Sequence, residues 1–173
     1  INAEYQDCFG NLCATESVLD ISALGALRPA AHAPALNICR SPTGERLLQK
    51  KLPERQIASA GIRALTGNDA DFQAIKTALR HGVVIAGHTA RQLTVDMCRQ
   101  ADLILVMEPA HIEAVADILP AARSKTMLFG QWLHKKSIPD PYRQNDEMFE
   151  AVFEQLETAA TRWAEKLLQT TDS

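Results

Sequence analysis

From Leu103 to Met107 the segment Asp102-Leu103-Ile104-Leu105-Val106-Met107 is apolar without interruption. A strand with one wet face alternates polar and apolar residues, so this run predicts a strand covered on both faces. Parallel sheets demand such strands, because the crossover joining two parallel strands lays a helix over the sheet. The flanking chain fits. Leu47, Leu48 and Leu52 recur at helical spacing between Pro42, suited to a first helical turn, and Pro53, which ends the run. Asp69–His81 reads as a helix with Phe72, Ile75 and Leu79 on one face and Gly82 past its end. Pro109 opens another helix, through Ile118. A last one begins near Asn145, with Phe149, Val152, Phe153, Leu156, Ala160, Trp163 and Leu167 in one stripe. Gln56–Ala60 and Thr126–Phe129 read as short strands, and Val83–Ile85 as a short apolar piece. Strands alternating with helices predict an α/β fold with a parallel sheet.

The chain has 173 residues, the size of a single domain with a full core. Its net charge of -3 counts against a nucleic-acid binder, which would carry a basic face. No stretch approaches the roughly 20 apolar residues of a membrane span. Residues 1–34 lack a basic start followed by an apolar core, so no signal peptide is expected and the cytoplasm is the expected location. Cys8, Cys13, Cys39 and Cys98 are scattered, as in a reduced protein, and their spacing completes no zinc knuckle, so no metal is expected. Residues 1–36 differ in texture. Between Ala23 and Leu36 lie six alanines and two prolines with neither helical nor strand period, and irregular structure is expected there, with at most a short strand at Ser17–Ile21.

Two segments carry chemistry. In Asn37-Ile38-Cys39-Arg40-Ser41-Pro42 an arginine stands at a helix start, where unpaired N–H groups and partial positive charge attract anions. Its planar fork can hold two phosphate oxygens at once. In Pro139-Asp140-Pro141-Tyr142-Arg143 a carboxylate is stiffened by a proline on each side and could protonate a leaving oxygen. Taken singly, each has a plainer reading: a surface arginine at a helix start, and a turn aspartate. Ser59 and His88, at the ends of short apolar pieces, read equally as loop supports or as ordinary partly buried polar residues. Tyr142 and Trp132 are as well suited to core packing as to an aromatic pocket.

As an ordered set these residues resemble the low-molecular-weight protein tyrosine phosphatases, and most of all the bacterial members that partner tyrosine kinases in capsule and exopolysaccharide production. The family loop reads Cys-x-Gly-Asn-Ile-Cys-Arg-Ser-Pro, and this chain keeps Asn37 to Pro42. Thr43 to Leu48, Ser59-Ala60-Gly61, Gly87-His88, Asp102–Met107, Lys125 to Leu133 and Asp140 to Arg143 follow the family in order, so the likeness runs from Asn37 to about Leu168. It implies a three-layer α/β fold whose central sheet has four parallel strands. It implies a thiolate that attacks phosphotyrosine to form a phosphocysteine. Asn37, Ile38, Cys39, Arg40 and Ser41 would bind phosphate, and Asp140 would be the acid. Ser59 and His88 would support the loop, and Ile38, Leu65 and Tyr142 would border the substrate. No cofactor is implied, the expected partner is a phosphotyrosine protein such as a bacterial tyrosine kinase, and a monomer is expected.

The chain departs from the family where the chemistry begins. The nucleophile belongs six residues before Arg40, at Pro34, and the expected glycine before Asn37 is Leu36. Six residues beyond Cys8, Cys13, Cys39 and Cys98 stand Ala14, Leu19, Glu45 and Ile104, so no other cysteine takes the role. Cys8-Phe9-Gly10-Asn11-Leu12-Cys13 imitates the loop but has Ala14 in the arginine position. Proline offers neither a thiol nor an N–H. The family pattern resumes in mid-motif, which points to a frame change in the gene or an error in the sequence rather than gradual decay. Three readings therefore stand: a protein tyrosine phosphatase, a catalytically dead relative that still binds phosphotyrosine, and an arsenate reductase, which would need further redox cysteines.

Overall fold

The computed structural model describes Ser17–Val18 and residues 37–169. Pro34, Leu36, Cys8 and Cys13 lie outside the described residues. Strand β1, Ser17–Val18, falls in the region expected to be irregular. Helix α1 spans Arg40–Lys51, α2 Phe72–Arg80, α3 Val95–Gln100, β2 Ile104–Val106, α4 Pro109–Ile118, β3 Thr126–Leu128 and α5 Asp146–Gln169, with a 3-10 turn at Pro120–Lys125 before β3.

The strands form a parallel sheet in the order β1-β2-β3, with Ser17 opposite Ile104 and Leu105 opposite Met127. The apolar run centred on β2 explains the layers. Leu103, Leu105 and Met107 join one buried cluster with Leu47, Leu48, Phe149 and Trp163, from α1 and α5. Ile104 and Val106 join a second with Cys98, Val115 and Ala122, from α3, α4 and the 3-10 turn. Helices thus cover both faces of the sheet, as an unbroken apolar strand requires.

Three strands are present among the described residues, against the four expected. Gln56–Ala60 shows a single bridge at Gln56 rather than a strand. Two of its carbonyls serve side chains: Ile57 O accepts from Gln49 Nε2 and Ser59 O from Arg91 Nε. Helix α2 starts at Phe72 because Asp71 caps it, its carboxylate accepting from the N–H groups of Gln73 and Ala74. Asp69, expected at that start, pairs in a bridge with Thr89 instead. The helix ends as predicted, with Gly82 at φ 72 and Val83 N–H bonded back to Ala78 O. Two of its apolar residues point outward, Phe72 76% and Leu79 61% exposed, while Ile75 packs partly against the core. The buried side is Ala74, Thr77 and Ala78, small residues that let α2 approach the bulky stripe of α5. That stripe is buried throughout, and Trp163 Nε1 donates to Phe129 O at 2.8 Å, pinning α5 to the end of β3.

Beyond β3 the chain makes a tight loop. A Cβ on Gly130 would lie 2.3 Å from the Lys136 carbonyl oxygen, far inside contact distance and against backbone that cannot swing aside. Gly130→Ala is expected to cost about 1–3 kcal/mol, by forcing the two backbone segments apart. Urea unfolding checks this, and an unchanged midpoint would show that the 130–136 segment yields freely.

Candidate active site

The two chemical segments meet at the carboxyl end of β2, where open α/β sheets place their ligands. Arg40 is the first residue of α1 and is 1% exposed. Its Nη1 donates to Glu108 Oε1 at 2.6 Å and to Ile138 O at 2.6 Å. Its Nη2 lies 3.8 Å from Asp140 Oδ2. A buried guanidinium is tolerable only when its charge is met in this way. Glu108 directly follows the apolar run, and Ile138 N–H bonds to Met107 O at 3.0 Å, so β2 carries both the carboxylate and the anchor of the Asp140 loop. Asp140 Oδ1 accepts from Tyr142 N–H at 3.1 Å, a turn that fixes the carboxylate between its two prolines. Asp140 keeps 26% of its side chain exposed, in reach of a bound molecule.

The loop entering α1 is held in an unusual shape. Asn37 adopts φ 62, in the left-handed region that few residues other than glycine occupy. Three contacts compensate. Asn37 O accepts from His88 Nε2 at 2.7 Å, Asn37 Oδ1 accepts from Arg91 N–H at 3.1 Å, and Ile38 O accepts from Asp71 N–H at 2.8 Å. This donation requires a proton on Nε2, and burial lowers the His88 pKa while the hydrogen bond to Asn37 opposes the shift. Gly61 lies so close that a Cβ would stand 3.1 Å from Asn37 Cβ, which accounts for the glycine in Ser59-Ala60-Gly61. Ser59 Oγ donates to Glu45 Oε2 at 2.5 Å, tying this wall to α1. Asn37 Nδ2 and Ser41 Oγ are buried without a hydrogen-bond partner, which leaves two polar atoms beside Arg40 able to hold an incoming polar group.

Most of the residues expected from the sequence are thus brought together. Asn37, Arg40 and Ser41 line one loop, Ser59 and His88 brace it, and Asp140 faces Arg40. Ile38 and Cys39 are buried in the core, at 5% and 2% exposure. Cys98 lies in the cluster on the other face of the sheet, its pKa raised by burial, which makes it a poor nucleophile or redox partner. Leu65 is exposed on the 62–67 loop, and Tyr142 packs partly on the core with the Arg143 guanidinium 5.2 Å above its ring. Glu108 and Glu45 were not singled out from sequence. Glu108 could have been sought, since an arginine buried at a strand end needs a carboxylate close to that end.

The sequence profile described as "low molecular weight phosphotyrosine protein phosphatase" matches residues 34–172. The chain belongs to this family. It is 56% identical over 131 residues to the probable low molecular weight protein-tyrosine-phosphatase AmsI of Erwinia amylovora, covering 76% of this chain and 91% of that protein. Among solved structures, the tyrosine phosphatase Wzb of Escherichia coli K30 in complex with sulphate superposes with a TM-score of 0.78 at 48% identity, covering 88% of this chain and 98% of that one. Vibrio vulnificus Wzb in complex with benzylphosphonate gives 0.76 at 47%, covering 87% and 98%.

One histidine beneath the site makes stability depend on pH. His111, in the first turn of α4, is 1% exposed, and burial lowers its pKa to about 4, with Glu108 opposing and Arg40 reinforcing the shift. Above pH 6.5 it is neutral whether folded or unfolded and contributes no pH dependence. Between 6.5 and about 4 only the unfolded chain takes up its proton, so stability falls. At pH 4.5 the loss is about 2–3 kcal/mol relative to pH 7.5. Urea unfolding at both pH values should show a drop smaller by that amount in His111→Gln, and equal drops would assign the acid sensitivity elsewhere.

Proposed function

We propose that this site is that of a protein-tyrosine phosphatase, with Arg40 holding the phosphoryl oxygens and Asp140 protonating the leaving phenolate. The observation that carries the reading is the approach of Arg40 Nη2 to Asp140 Oδ2, which sets an oxyanion holder beside a proton donor. With a thiolate at position 34, as in the family loop, its sulfur would bond to phosphorus as the bond to the phenolate oxygen breaks, the Asp140 proton would pass to that oxygen, and a phosphocysteine would remain. The resulting carboxylate can then take a proton from the water that releases phosphate. Asn37, His88, Ser59 and Ser41 keep the loop shaped around the phosphoryl group, and Leu65 and Tyr142 border the tyrosine ring. No metal or cofactor is required. The benzylphosphonate bound by the Vibrio relative is an arylmethyl phosphonate close in shape to phosphotyrosine, which supports the substrate class. The partner we infer is a phosphorylated bacterial tyrosine kinase of exopolysaccharide or capsule production, met in the cytoplasm by a monomer. This follows the branch that the sequence resembles. The architecture we infer is the family's four-stranded sheet.

The covalent half of this chemistry needs a thiol, and position 34 is proline. Pro34 favours a second reading, a phosphotyrosine-binding module that keeps the cradle without turnover. Aryl phosphate hydrolysis separates the two, with peptide mapping to establish residue 34 in the purified protein. With Pro34 present, no burst and negligible turnover are expected. Pro34→Cys combined with Leu36→Gly should yield a burst of phenol close to one per protein molecule, abolished by adding Arg40→Ala. An inert double variant that still binds phosphotyrosine through Arg40 would establish the binding module. Turnover with Pro34 in place would overturn the thiol mechanism.

A further inference from the structure

We propose that the loop from Leu133 to Arg143 selects phosphotyrosine segments flanked by acidic residues. The inference rests on the phosphotyrosine reading above and names the peptide class that the same site prefers.

Position is the first ground. Ile138 is bonded at both ends, its N–H to Met107 O at 3.0 Å and its carbonyl to Arg40 Nη1 at 2.6 Å. Lys136 therefore stands two residues from a carbonyl that the phosphate-holding arginine grips. Lys135 and Lys136 are exposed, but their backbone is not loose. Leu133 N–H bonds to Gly130 O, and the Lys136 carbonyl packs against Gly130 where a Cβ would not fit. At the other end of the loop, Arg143 is held at φ 61 with its guanidinium over the Tyr142 ring. These cations are carried on backbone anchored at the site rather than on a free tail.

Charge is the second ground. From Gly130 to Arg143 there are three cations, Lys135, Lys136 and Arg143, against one carboxylate, Asp140, in a chain whose net charge is -3. Lys135 and Lys136 make no ion pair among the described residues. Three nearby acids are already engaged, Glu108 and Asp140 by Arg40 and Asp146 by Lys76 and Arg80, while the exposed Glu147 makes no ion pair among the described residues and offsets only part of the charge of Lys135, Lys136 and Arg143. The rim thus presents uncompensated positive charge beside a site for a dianionic group, and acidic residues next to a phosphotyrosine would meet it. Attraction of this kind between exposed groups is screened by salt, which supplies a signature.

Binding to the full chain can be followed by fluorescence polarisation, using peptides that carry a phosphonate analogue of phosphotyrosine which cannot be hydrolysed. Three peptides are needed: acidic flanks, neutral flanks, and acidic flanks around an unmodified tyrosine. The acidic phosphonate should bind at least tenfold more tightly than the neutral one at low salt, with most of the advantage gone at high salt. Lys135→Glu with Lys136→Glu should remove the advantage, weakening the acidic phosphonate far more than the neutral one. Lys135→Ser with Lys136→Ser should give an intermediate loss and guards against a folding defect in the first variant. Equal affinity for both phosphonates, or an advantage that survives the double variants, would overturn the proposal alone. If neither phosphonate binds better than the unmodified peptide, the phosphotyrosine reading falls, and this proposal with it.

Discussion

A guanidinium buried at the carboxyl end of β2 is the constraint on which the rest of the site depends. Arg40 is 1% exposed, and burying its charge would be prohibitive without partners. Those partners come from distant parts of the chain: Glu108 from the end of β2, the Ile138 carbonyl from the loop after β3, and Asp140 from the same loop. Satisfying one arginine therefore draws the Asp140 loop onto the carboxyl end of the sheet and brings its carboxylate beside the guanidinium. The same contacts anchor the loop that carries the exposed Lys135 and Lys136.

The loop before α1 shows a similar economy. Asn37 is held in a left-handed conformation by His88, Arg91 and the close approach of Gly61. Strain of this kind persists only where the surroundings over-determine it. All of these supports are present in a chain with proline at the nucleophile position. The structure describes this loop from Asn37 onward, with its supports in place.

Much of this was legible in the sequence, and the failures have physical causes. The unbroken run Leu103–Met107 announced a strand covered on both faces, and helices lie on both. The helix from Pro109 to Ile118 and the buried stripe of the last helix were readable from proline placement and a 3.6-residue period. Of Gln56–Ala60, the described residues show only the bridge at Gln56, with the Ile57 and Ser59 carbonyls taken by Gln49 and Arg91. The helix bearing Phe72, Ile75 and Leu79 was readable, but its packing through Ala74 and Ala78 against a bulky partner, with Phe72 and Leu79 exposed, is not revealed by periodicity alone. Helix α3 is too short to show a period, and is marked mainly by its Thr94 cap. In the site, Arg40 and Asp140 gained meaning only as an ordered set, while Glu108 remained hidden because the need for it arises from burial.

The account is tested most directly by a crystal structure of the protein grown with tungstate or vanadate. The oxyanion is predicted to sit at the start of α1, within hydrogen-bond distance of the Arg40 guanidinium and of Asn37 or Ser41, with the Asp140 carboxylate facing it. An oxyanion bound elsewhere, with Arg40 still closed on Glu108 and Ile138 alone, would contradict the assignment of this site.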